Sequence, residues 1–106
     1  MKEYGKTKIF KSASFFNFMS NLLDAGDVDS RTTISDFRKI VESGHTANRG
    51  EGWFNEAIKK ILDRPEYSDE YRNSKDGSKR QVYKRLARMH AMLAKSANSR
   101  GFNIKI

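Results

Sequence analysis

Lys79-Arg80-Gln81-Val82-Tyr83-Lys84-Arg85-Leu86-Ala87-Arg88-Met89-His90-Ala91-Met92-Leu93-Ala94-Lys95-Ser96-Ala97 is the longest periodic stretch of the chain. Advanced by about 100° per residue, Val82, Leu86, Met89 and Leu93 form one apolar seam, with Tyr83, His90 and Ala97 beside it. Lys84, Arg88 and Lys95 gather on the opposite side, and Arg80 and Arg85 stand on the shoulders. An apolar stripe facing a charged one is the pattern of a surface helix, and Lys, Arg, Ala, Leu and Met all favour that conformation. The expected helix runs from Lys79 to Ala97 with Ser78 as its cap. Ala87, Ala91 and Ala94 separate the cations with small side chains, so a row of phosphates meets no steric obstacle. From Arg80 to Lys95 the face is about 22 Å long at 1.5 Å per residue.

Outward from this stretch, three more helical patterns appear. Ser12 or Ser14 is placed to cap a helix over Phe15 to Ala25, and Gly26 to stop it. Phe15, Phe16, Met19, Leu22 and Leu23 share a wide face there. Phe18 lies outside it, which suggests burial on more than one side and makes this helix the expected centre of the core. Thr33 with Asp36 reads as a capping box using Asp for the usual Glu. The helix behind it, Ile34 to Ser43, carries Ile34, Phe37, Ile40 and Val41 on one stripe and ends at Gly44. A third helix spans Trp53 to Arg64, with Trp53, Phe54, Ala57, Ile58, Ile61 and Leu62 as its apolar face. Glu56 and Lys60 are spaced there for an exposed ion pair, and Pro65 stops the helix by lacking a backbone donor. Tyr67 and Tyr71, one turn apart, allow a short helical turn before the basic helix.

The ends read differently. Lys6 to Phe10 is extended in character, and Gly101 to Ile106 alternates polar and apolar residues with period two. Phe102, Ile104 and Ile106 are expected to dock on the core, with the tail pairing near Lys8 to Phe10. The fold class is therefore mainly α: a single small domain over residues 1–106, of about four helices, with short extended segments at the N- and C-termini. At 106 residues one domain fills the chain.

Charge placement points to the partner. The net charge is +8. Residues 1–74 hold 12 basic and 12 acidic side chains, whereas residues 75–106 hold 9 basic ones and the single acid Asp76. The whole surplus thus lies in the last third, and a merely soluble helix face usually mixes signs. Such asymmetry suggests a polyanion. The expected function is a non-catalytic nucleic-acid-binding domain that contacts the phosphate backbone through Arg80, Lys84, Arg85, Arg88 and Lys95, with Lys79 and Arg100 at the ends. Tyr67 and Tyr71 are candidates for base stacking. The alternative is a protein-interaction module, an inhibitor or adaptor. It would dock the same basic face on an acidic protein surface or on the nucleic-acid site of another protein.

Other chemistries find little support. The chain has no cysteine, which excludes disulfides and thiolate zinc sites and suits a cytoplasmic protein. No apolar run approaches the roughly 20 residues of a membrane helix, and residues 1–23 lack the apolar centre and cleavage site of a signal peptide. Asp24, Asp27 and Asp29 fail the calcium-loop spacing, because Thr32 and Arg38 fall where Gly and Glu belong. The loop Asn48 to Gly52 lacks the lysine and spacing of a phosphate-cradling loop. His45 and His90 have no partner at metal-ligand spacing. Neither an enzyme nor a cofactor or metal site is expected.

Overall fold

The computed structural model describes residues 12–24, 28–42 and 48–104. Among these residues five helices follow one another: α1 (Ser12–Leu23), α2 (Ile34–Glu42), α3 (Glu51–Leu62), α4 (Asp69–Arg72) and α5 (Gly77–Ser99). The chain is mainly helical, with no strand among the described residues. The extended segment expected at Lys6 to Phe10, the stops at Gly26 and Gly44, and Ile106 lie outside the described residues.

The centre of the core is α5, not α1. Helices α2, α3 and α4 all pack on α5, while α1 packs against α3. This arrangement widens the buried sector of α5 well beyond the expected seam. Met92 and Ala94, on opposite flanks of that seam, are both buried, as are Val82, Leu86, Met89, His90, Leu93 and Ala97. Ala94 therefore belongs to the core, Ala87 is half-buried, and of the three alanines only Ala91 is exposed. Phe15, Met19, Leu22 and Leu23 of α1, Phe37 and Val41 of α2, and Phe54, Ala57, Ile58 and Ile61 of α3 complete one apolar cluster. Leu62 departs from the expected α3 face and is 51% exposed.

Local signals explain where each helix begins and ends. Asp76, not Ser78, caps α5: its carboxylate accepts from the Ser78 amide at 2.8 Å, and its charge suits the positive end of the helix. At the other end Gly101 adopts φ +88°. The amides of Gly101 and Phe102 return to the carbonyls of Asn98 and Ala97 at 3.0 and 3.1 Å. That is the paired closure a left-handed glycine permits. Residues 102–104 beyond it do not form a strand. Asn98 holds them by donating to the Ile104 carbonyl at 2.9 Å and accepting from the Ile104 amide at 2.8 Å. Ile104 is buried and Phe102 lies against Phe54, with ring centroids 5.9 Å apart.

Helix α1 stops at Asp24, which takes a left-handed φ of 52°, a conformation Asp tolerates better than most residues. Arg49 reaches the Asp24 carboxylate at 3.4 Å, and the Trp53 indole donates to it at 3.4 Å. The end of α1 is thereby tied to the start of α3. On α3 the exposed ion pair is Lys59 with Asp63 at 2.8 Å rather than Glu56 with Lys60.

The capping box at α2 is present. Thr33 Oγ1 accepts from the Asp36 amide at 3.1 Å, and Asp36 accepts from the Thr33 amide at 3.0 Å. The backbone hydrogen bond from Thr33 holds the Asp36 carboxyl below its ordinary value, assisted by the side-chain hydrogen bond with Thr33. A depressed carboxyl stabilises the fold above its unfolded pKa, and that contribution fades as pH falls through the folded value. Acid unfolding of wild type, starting near pH 4 and continuing below, should therefore steepen relative to Asp36→Ala. Thr33→Ala should lower stability at neutral pH by about 1 kcal/mol, read by urea unfolding.

Candidate nucleic-acid interface

The basic face is built on a side of α5 that no other helix covers among the described residues. Lys84, Arg88 and Lys95 are all exposed there, and none makes an ion pair or hydrogen bond among the described residues. They lie within about 40° of one another around the helix and span about 16 Å of its length. Ala91 sits between Arg88 and Lys95 and leaves the surface low. The only acid of the C-terminal third, Asp76, is occupied at the α5 N-terminus, one end away from this group.

The remaining expected cations divide. Arg80 is exposed on one shoulder, and its guanidinium donates to the Ser74 carbonyl at 2.6 Å. Arg85 stands on the other shoulder with its guanidinium 5.2 Å above the Phe15 ring. Both remain beside the central three. Lys79 does not, and Arg100 borders only the groove beside Lys95 at the C-terminal end of the face. The Lys79 ammonium lies 5.2 Å over the Tyr71 ring on the buried side. Arg100 lies 5.2 Å over Phe54 and donates to the Arg49 carbonyl at 3.4 Å. Long basic side chains readily bury their stems against apolar surface, so the ring beneath Lys79 draws it away from the face and the ring beneath Arg100 leaves it only at the C-terminal edge.

The aromatic candidates are likewise placed by packing. Tyr71 is 7% exposed in the core, so the expectation that it stacks on a base is corrected: no open ring face remains. Tyr67 is half-buried, its ring 5.0 Å from that of Tyr83 and its hydroxyl 3.1 Å from His90 Nδ1. Burial raises the Tyr67 hydroxyl above its usual value, with a smaller contribution from Tyr83. Its ring is largely committed to this cluster.

Two cations from the charge-balanced part of the chain join the face, and sequence reading missed both. Arg38 of α2 shares a groove with Ala91, Met92 and Lys95. Arg31, ahead of α2, lines another with Arg85 and Arg88. Their contribution follows from the packing of α2 on α5, for which the linear order carries no sign. Glu42 lies in the Arg38–Lys95 groove and in the neighbouring one that holds Ser96 and Ser99. It is an acid near the C-terminal end of the face, but it forms no ion pair with Lys95.

Elsewhere, Arg49 in the loop before α3 is engaged by Asp24 and lies 5.2 Å over Trp53, so the loop's own cation is turned inward. His45 and Asp27 lie outside the described residues. Among the described residues no three His, Asp or Glu side chains gather to hold a metal, and no helix is long and apolar enough to cross a membrane. No known protein family, curated protein or solved structure matches this chain.

Proposed function

We propose that this protein is a non-catalytic nucleic-acid-binding domain whose α5 face lies along a phosphate backbone. One observation carries the reading: Lys84, Arg88 and Lys95 share an exposed strip on which none of them forms an ion pair among the described residues. Arg80, Arg85, Arg38 and Arg31 extend the strip on both sides. Of these Arg31 is shared with Asp29 at 3.1 Å; cations that meet phosphates gain free energy by releasing condensed counterions, and such contacts position a nucleic acid without reading its sequence. The absence of cysteine fits a reducing, cytoplasmic setting.

Titration of the full chain with unrelated DNA and RNA tests the proposal. If about four phosphates are neutralised, affinity falls roughly a hundredfold between 50 and 200 mM salt. Sequence composition of the probe matters little by comparison. Silence toward both nucleic acids at low salt overturns the proposal and leaves an acidic protein surface as the partner of the same strip.

A further inference from the structure

At the Arg85 edge of the strip, α1, the start of α2 and α5 enclose a groove of about 370 Å³. Phe15, Phe16, Arg31, Gln81, Arg85 and Arg88 line it, together with the first turn of α2, and no acidic side chain does. We propose that this groove receives one nucleotide of a single strand whose backbone lies on the α5 face. This inference rests on the phosphate-binding reading and adds to it a preference for unpaired strands.

The groove combines the groups that a nucleotide needs. Arg85 and Arg88 supply charge without an ion-pair partner among the described residues, while Arg31 is shared with Asp29 at 3.1 Å. Phe15 is buried and anchors Arg85 at the rim, holding that guanidinium at 5.2 Å from its ring. Phe16 is only half-buried, so part of its ring stays open to the groove. Gln81 is exposed and offers both a donor and an acceptor, the complement of a base edge. A volume near the lower end of the range for ligand sites takes one nucleotide and not a base pair.

Charge argues against the obvious competitor. The chain's first eleven residues carry four lysines and one glutamate, so they do not complement three arginines. An aromatic ring and a carboxamide beside the cations favour a base over a bare carboxylate, because stacking accepts any base. Bases within a duplex are already stacked, and extracting one has a cost. Duplex is therefore expected to use the strip alone.

The test compares a short oligothymidylate with a duplex of equal length at low salt. Wild type should bind the single strand about tenfold tighter, within the range that one stacked base supplies. Phe16→Leu combined with Gln81→Ala should abolish that preference and leave duplex affinity nearly unchanged. Equal affinity of wild type for the two forms, or a preference that the double variant retains, overturns the groove and leaves the strip standing. Failure to bind either form overturns the strip as well, and tighter binding of polyglutamate than of nucleic acid overturns both. Photocrosslinking of wild type to oligothymidylate provides a check that does not depend on the variant folding. Crosslinks at residues 15, 16, 81 or 85 support the groove, and crosslinks confined elsewhere, the strip included, refute it.

Discussion

Reversing Lys84, Arg88 and Lys95 to Glu should weaken nucleic-acid binding by more than about a hundredfold at 50 mM salt while leaving helical content intact. Three phosphate contacts are lost and three repulsions take their place, and each phosphate contact counts roughly equally whatever the sequence bound. The fold should survive because all three side chains are exposed and make no ion pair among the described residues. Lys60→Glu is the matching control. It changes an exposed cation on α3 that stands outside the strip, and it should alter affinity only slightly. Circular dichroism with anisotropy titration reads both effects. Unfolding of the triple variant would mean that this side of α5 is a packing surface.

Arg64→Met should destabilise the fold by about 3 kcal/mol, the lower end for stranding a buried charge, because Glu66 is buried while its partner Arg64 is 33% exposed. Glu66 is 2% exposed, and Arg64 donates to both of its carboxylate oxygens at 3.1 Å through Nε and Nη2. The same guanidinium lies 5.3 Å over the Phe18 ring of α1, so one side chain joins α1 to the connection between α3 and α4. Without Arg64 the carboxylate stays in a site that water barely reaches. In a chain of this size the thermal midpoint should fall on the order of 15 °C. Adding Glu66→Gln to Arg64→Met removes the stranded charge and should recover a large part of the loss, because a neutral buried pair lacks the ionic desolvation cost. Nucleic-acid affinity of the folded double variant should match wild type, since neither residue belongs to the α5 strip.

The four main helices and the capping box at Thr33 were legible because each rests on neighbours within a few residues. Periodicity and a hydroxyl three positions from a carboxylate are local facts. The rank of the helices in the core was not legible. Met92 and Ala94 sit outside the Val82–Leu86–Met89–Leu93 seam, and small or flexible side chains are equally at home on a surface or under a second layer. Only the packing of α2, α3 and α4 on α5 decides between them. The cap of α5 moved to Asp76 because a carboxylate and a hydroxyl two residues apart compete, and the one accepting from the Ser78 amide wins.

The interface was legible in its middle and not at its edges. Lys84, Arg88 and Lys95 lie far from the apolar seam, so angle alone exposes them. Lys79 has the right charge, but the Tyr71 ring captures it, and Arg100, held over Phe54, borders only the groove beside Lys95. Arg31 and Arg38 are distant in the chain and reach the face through tertiary packing. Phe16 was expected in the core by its place on the α1 face, and it stands half-buried against the groove instead.

The slope of log affinity against log salt, measured on the same duplex for wild type and for a variant with Lys84, Arg88 and Lys95 changed to Gln, tests the central claim most directly. Each phosphate contact contributes about 0.9 to that slope on duplex DNA, so the variant should be shallower by roughly 2 to 3. Identical slopes in the two proteins would show that the counterions are released elsewhere and that the α5 strip does not hold the backbone.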